Sequence, residues 1–180
     1  MIKKWDVISS SYIFYHPPWA AIRKDHLRLP NRNEMPNYYV LEYPDWINVL
    51  GITTDNKFVM IKQYRHALGE ISFELPAGVI DEGENPLQAA KRELLEETGY
   101  GNGNWQPWTK LCANPATHNN YTHTFLVTGV EKIQEQNLEA TEDIEVHLLS
   151  KKEVLELLNN NQIAQALQAA VLWKYFAEVG

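Results

Sequence analysis

From Tyr38 onward the apolar positions gather into short runs of β-branched and aromatic residues, and Tyr38–Tyr43, Trp46–Thr53 and Phe58–Tyr64 are predicted as strands. Asp55-Asn56-Lys57 separates the last two, which reads as a hairpin. A further short strand, Ile71–Leu75, is stopped by Pro76 and followed by Ala77-Gly78. The period then changes. Asn85 is placed as an N-cap, Pro86 at the first helical position and Gly99 as the stop, which predicts a helix over Pro86–Thr98. Strands are expected again at Trp105–Cys112, His123–Val130 and Ile144–Leu149. Ser150 with Glu153 then forms a capping box ahead of a second helix, which Asn159-Asn160-Asn161 breaks. Ile163, Ala166, Leu167, Ala170, Val171 and Lys174 recur at helical spacing and predict a last amphipathic helix from Gln162 to Ala177.

The first forty residues have a different texture. Tyr12, Phe14, Tyr15, Trp19 and the pair Pro17-Pro18 suggest short strands and turns, with Pro30-Asn31-Arg32-Asn33 as a turn between them. Residues 1–40 are therefore read as a β-rich extension that packs on the main body or on a second copy of the chain, and residues 41–180 as the main domain. Strands followed by helices, with one helix in the middle, predict a layered α/β fold with a mixed sheet.

Composition narrows the function classes. The chain has 180 residues, of which 44% are apolar and 22% charged, enough for one core without disulfide or metal staples. Lys plus Arg is 16 against 23 Asp plus Glu, a net charge of −7, and no basic tract could neutralise several phosphates along a duplex. Nucleic acid is not expected as the main partner. No apolar run approaches the ~20 residues that span a bilayer, and Met1–Asp6 leads into no leader-like apolar stretch, so a cytoplasmic protein without a membrane partner is expected. The single cysteine, Cys112, has no partner for a disulfide or zinc spacing and reads as a buried structural thiol.

The strongest chemical signal surrounds the central predicted helix. Between Asp81 and Glu97 stand six acids, Asp81, Glu82, Glu84, Glu93, Glu96 and Glu97, against two bases, Lys91 and Arg92. Helical spacing gathers Glu93, Glu96 and Glu97 into one stripe of roughly 100°, with Leu87, Ala90 and Leu94 in the adjacent stripe facing a sheet. Like charges at these spacings each cost a helix about 0.2–0.5 kcal/mol, and the negative end of the helix dipole worsens the position of Glu96 and Glu97. A hard divalent cation with oxygen ligands accounts for what stability does not ask for.

Gly78, five residues, Glu84, seven residues, Arg92-Glu93-Leu94, Leu95, Glu96-Glu97, Thr98, Gly99 and Tyr100 place nine positions at fixed spacing. In this the chain resembles a Nudix hydrolase, whose 23-residue box it matches except that Tyr100 replaces the usual aliphatic residue. Gln63-Tyr64-Arg65 followed by Glu74-Leu75-Pro76-Ala77-Gly78 is similar to the branch that cleaves ADP-ribose and nucleoside diphosphate sugars. Pro115, about fifteen residues past the box, matches a proline typical of ADP-ribose pyrophosphatases. The resemblance runs from about Tyr38 to Leu149.

The resemblance implies an α/β/α sandwich with a mixed sheet and a central catalytic loop-helix. It implies a homodimer formed through the extension, and hydrolysis of a pyrophosphate bond with Mg²⁺, or Mn²⁺ in its place. Glu93, Glu96, Glu97 and the backbone carbonyl of Ala77 would be metal ligands, and Arg92 would hold a carboxylate in its rotamer. The catalytic base would come from the acidic loop Leu138–Ile144, with Glu142 preferred over Glu139. Arg65 would meet substrate phosphate or pair with Glu74. Trp19, Tyr39 and Trp46 are weaker candidates for stacking on a base, and His118 and His123 read as loop residues. The same chemistry on GDP-mannose or a dinucleotide, and a non-catalytic module that senses nucleotide sugars, are the alternatives.

Overall fold

The computed structural model describes residues 1–179, which divide into two compact units. The first comprises Met1–Pro44 with the loop Cys112–Tyr121. It is built on an antiparallel sheet of β1 (Asp6–His16), β2 (Ala20–Arg28) and β3 (Glu34–Glu42), in that order. Where short strands and turns are expected, β1 and β2 are long and pair from Asp6↔Arg28 to His16↔Ala20, because the aromatic run of β1 finds a partner strand across one tight connection.

Within this unit Arg23 binds both oxygens of the buried Asp25, at 2.9 and 3.0 Å, and also pairs with Glu42. Ser10 donates to Asp25 at 2.7 Å, and the Arg23 guanidinium holds the Asp25 carboxyl below its ordinary value. The loop lies along β3: Leu41 N–H donates to Thr117 O at 2.7 Å and Tyr38 Oη to Ala116 O at 2.5 Å. Every residue of β1 is exposed, and Trp5, Val7, Tyr12, Ile13, Phe14 and Tyr15 turn large apolar surfaces outward. Cys112 is half-buried rather than buried, and its thiol lies 3.8 Å from His118 O at the edge of the unit.

The second unit spans Asp45–Leu111 and the chain from Thr122 onward. Its seven-stranded sheet contains β4 (Trp46–Thr53), β5 (Phe58–Arg65), β6 (Glu70–Glu74), β7 (Ala77–Val79), β8 (Tyr100–Leu111), β9 (Thr122–Lys132) and β10 (Ile144–Leu149). The order is β10-β5-β4-β9-β8, with β6 on β5 and β7 on β4. The β4–β9 pair is parallel and the other pairs are antiparallel, which makes the sheet mixed as expected.

Helices cover both faces. α1 (Pro86–Thr98) packs Ala89, Ala90 and Leu94 against Ile47, Val49, Val59, Phe125 and Val127. On the other face α2 (Lys151–Asn159) and α3 (Ala166–Glu178) bury Val154, Leu158, Val171 and Leu172 against Leu50, Ile52, Met60 and Leu126. Successive residues of β4 alternate between the two clusters, as the two-residue period of a strand requires, and a strand buried on both faces reads as almost continuously apolar.

The helix α1 has the predicted ends. Asn85 and Gln88 cap each other reciprocally, Pro86 occupies the first turn, and Gly99 closes the helix at φ 74°. A Cβ at Gly99 would stand 2.1 Å from Gln134 O, so glycine is required there twice over. The helix α3 starts later than expected: Gln165 caps it, and residues 162–165 are not helical. Its buried stripe also differs, since Ala166 and Ala170 are exposed while Gln168, Val171 and Leu172 face inward.

Candidate active site

The strand β7 sets the site's backbone. Asn48↔Ala77 and Ile47↔Gly78 pair across the sheet, Val49 N–H donates to Pro76 O at 2.8 Å, and Ile80 N–H to Asp45 O at 3.0 Å. The segment leading into α1 is thereby held before the helix begins. Gly78 gives the first helix carboxylate its room, because a Cβ there would lie 1.9 Å from Glu93 Oε1. Only a residue without a side chain lets that carboxylate lie against the backbone.

Arg92 is the hub of the arrangement. Its Nε and Nη2 donate to Glu84 at 3.2 and 3.0 Å, and Nη2 also to Val79 O at 3.0 Å. Its Nη1 donates to Glu93 at 2.8 Å and to Glu96 at 3.2 Å. One guanidinium thus ties the loop at Glu84 to two carboxylates of α1, and its own pKa rises while that of Glu84 falls, mainly through the bond between them.

Glu97 is 3% exposed and its Oε2 accepts the Ala77 N–H at 2.9 Å. No ion pair of Glu97 is formed among the described residues. Burial pushes its carboxyl well above 4.5; the Ala77 amide opposes that rise, and the charges of Glu93 and Glu142 add to it. The Glu93 carboxyl is also raised, by burial first, with Arg92 opposing and Glu96 and Glu142 reinforcing. The charge of the half-buried Glu142 therefore acts on both Glu93 and Glu97. Glu139 is exposed; it turns with Glu142, whose Oε2 accepts its N–H at 2.8 Å.

Arg65 and Glu74 form a two-pronged pair, Nε–Oε1 at 2.8 Å and Nη2–Oε2 at 2.6 Å. Glu74 is 2% exposed, whereas the Arg65 side chain is 43% exposed and feels the charge of Glu97. Sequence reasoning thus named a set that the structure gathers in one unit: Arg65, Glu74, Ala77, Arg92, Glu93, Glu96, Glu97 and Glu142. Pro115, Trp19 and Tyr39 belong to the other unit, where all three are exposed. Trp46 lies on β4, and His123 lies on β9 rather than in a loop, 3.1 Å from Asp45.

Two glutamines escaped the sequence reading. Gln136 Nε2 donates to Glu97 O at 2.7 Å and to Ile144 O at 3.1 Å, joining the end of α1 to the start of β10 across the acidic loop. Gln168 of α3 binds the backbone of Leu75, two residues before Ala77. Neither carries a sequence signal for the contact that matters, since Glu97 and Leu75 lie 39 and 93 positions away, Gln136 stands amid polar neighbours, and a glutamine in the apolar run around Gln168 does not reveal what it meets.

The candidate donor set is entirely oxygen, three glutamates on one helical stripe with the backbone of Ala77 hydrogen-bonded to one of them, which is the chemistry a hard divalent cation takes. The buried, mutually repelling carboxylates gain from a cation that neutralises them. As they stand, Glu93 and Glu96 are engaged by Arg92 and Glu97 by an amide, and among the described residues no three His, Cys, Asp or Glu side chains are gathered at ligating spacing. Cation binding would therefore turn these side chains from their present partners.

Residues 44–170 match the NUDIX domain. The chain belongs to the NUDIX family, and it is an enzyme of the Nudix hydrolase type. It is 30% identical over 146 residues to the ADP-ribose pyrophosphatase of Bacillus subtilis (strain 168), covering 81% of this chain and 78% of that protein. It is 29% identical over 145 residues to the methanol dehydrogenase activator of Bacillus methanolicus, with 80% and 78% covered. A crystal structure of an ADP compounds hydrolase superposes with a TM-score of 0.84 at 18% identity, covering 96% of this chain and 92% of that one, a likeness of fold.

Proposed function

We propose that the chain hydrolyses the pyrophosphate bond of ADP-ribose or another nucleoside diphosphate sugar, releasing a nucleoside monophosphate and a sugar phosphate. The observation that carries this reading is Glu97, a buried carboxylate kept beside the charges of Glu93 and Glu142 at an electrostatic cost, with one amide hydrogen bond and the more distant Arg65 charge in return. The relative from Bacillus subtilis supports the substrate class.

Glu93, Glu96, Glu97 and the carbonyl of Ala77 would hold Mg²⁺, or Mn²⁺ in its place. When bound, such ions neutralise non-bridging phosphate oxygens and acidify a water. The chain's own groups do the rest. Arg92 restrains Glu93 and Glu96 from behind while Glu84 anchors it. Glu142 takes a proton from the water whose oxygen attacks one phosphorus, and the bridging oxygen leaves with the other phosphate. The exposed edge of Arg65, its other edge held by Glu74, faces substrate phosphate. Glu142 is preferred to Glu139 because its charge reaches Glu93 and Glu97.

The exposed aromatic residues of β1 support a homodimer formed through the first unit. No helix among the described residues is long and apolar enough to cross a membrane, and a cytoplasmic enzyme is the corresponding proposal.

A panel of ADP-ribose, ADP-glucose, GDP-mannose, a nucleoside triphosphate and a dinucleoside polyphosphate, with Mg²⁺ and with or without Glu97→Gln, tests the reading. Cleavage of one diphosphate sugar, lost in the variant, is expected. Preference for GDP-mannose or the dinucleotide would move the substrate, and binding without any cleavage would replace the hydrolase with a sensing module.

A further inference from the structure

Gln168 is 1% exposed, on the face of α3 that carries Val171 and Leu172 into the apolar layer containing Leu75. Its amide uses both ends on one residue 93 positions away: Leu75 N–H donates to Oε1 at 2.7 Å, and Nε2 donates to Leu75 O at 3.3 Å. The side chain thus takes the place of a neighbouring strand. Leu75 needs one, because it falls between β6 and β7, where the ladder with β5 ends at Glu74 and that with β4 begins at Ala77. Without Gln168 both of its buried peptide groups would lack a partner.

The bonds of this segment form a series. Glu74 is tied to Arg65, Leu75 to Gln168, Pro76 O to Val49 N–H, and Ala77 N–H to Glu97. Gln168 supplies the tie from α3, and it fixes the peptide two residues before the amide that orients Glu97. We propose that Gln168 is a positioning residue for the hydrolase site: it docks Leu75 so that the Ala77 peptide meets Glu97 at the spacing the reaction uses. This rests on the proposed role of Glu97 and Ala77.

The test compares Gln168→Leu with Val171→Ala, a core truncation on the same helix matched for lost thermal stability. Three quantities are read well below both melting points: exchange of the Ala77 amide by NMR, Mn²⁺ binding without substrate by EPR, and kcat and KM for ADP-ribose. Gln168→Leu is expected to speed Ala77 exchange and to weaken Mn²⁺ binding and lower kcat each by about tenfold or more, with KM within about twofold. Val171→Ala is expected to leave all of these near wild type. Gln168→Glu keeps the acceptor for Leu75 N–H and is expected to recover at least a third of the lost kcat. If Gln168→Leu does not fold, Gln168→Ala, which also lacks both amide groups, takes its place with the same expectations, and a kcat loss below about threefold with unchanged Ala77 exchange overturns the inference. So does a Gln168→Leu that tracks Val171→Ala in every quantity. A wild-type protein that neither binds Mn²⁺ nor cleaves any diphosphate sugar overturns the proposed function instead.

Discussion

Two glutamates of the second unit are buried almost equally, Glu74 at 2% and Glu97 at 3% exposure, and their surroundings are opposite. Glu74 faces the fork of Arg65, two charge-assisted bonds for two oxygens. Glu97 has one peptide N–H and only the charge of Arg65, without a direct pair, while burial and the charges of Glu93 and Glu142 press on it. A buried acid with its countercharge at hand is what a fold can tolerate on its own account. One held among like charges is a poor use of stability, and it makes sense where a cation or a reacting phosphate completes the balance. On the proposed function, the contrast separates the residue that shapes the corner from the one prepared for chemistry, although both lie in the second unit.

The sharpest way to break the comparison is Glu97→Gln. The amide oxygen can still accept the Ala77 N–H while the buried charge is gone. Turnover of the preferred diphosphate sugar should fall by about 10³ or more, and the metal-free protein should melt higher by about 2–4 °C at neutral pH. A lower melting point with activity intact would make Glu97 a structural acid like Glu74.

Glu142→Gln comes next, with kcat reduced by about 10²–10⁴ and little change in fold, while Glu139→Gln stays within about threefold, both read in steady-state assays. Equal losses at the two positions would remove the preference drawn from the reach of Glu142's charge. On the Glu74 side, Arg65→Met should cost about 1–3 kcal/mol in urea unfolding, since it leaves Glu74 buried and unpaired while Arg65 itself is partly solvated. Arg65→Met with Glu74→Leu should regain most of that stability but not activity. A double variant no more stable than the single would show that the corner is not held by charge compensation.

The smallest effect is on pH. Burial raises the carboxyls of Glu93 and Glu97 above 4.5, so the metal-free fold retains protons that the unfolded chain has released. Its stability should therefore decline as pH rises from 4.5 through the raised values and level off above them. Glu84 works the other way, its carboxyl lowered by Arg92, and its contribution is present above 4.5 and lost as pH falls below its folded value. Urea midpoints across that range, for wild type and Glu97→Gln, should show the upward decline shrinking in the variant.

Much of this was legible in the chain because it is written in local spacing. The caps of α1, its carboxylate stripe and the glycine that ends it depend on residues three to eight positions apart, and helix geometry converts those spacings directly into faces and ends. The strands with strong apolar runs, β4, β5 and β10, appear at or within a residue of their expected bounds for the same reason. The start of α3 was misplaced because Gln162–Gln165 has helical composition, while capping by Gln165 sets the actual beginning. Its buried face was misread because an inward glutamine breaks the apolar stripe that periodicity relies on.

The chain by itself therefore determined the family, the mixed α/β class, the acidic helix and the names of its carboxylates. Only the tertiary structure decided what each of those groups meets. It paired Glu74 with Arg65, left Glu97 with an amide, and set Gln168 against Leu75. It also gave the loop Cys112–Tyr121 to the first unit, far in sequence from the strands it lies along. The physical reason is that spacing along a helix or strand fixes direction, whereas burial and partnership depend on which distant backbone arrives at the other end of the side chain.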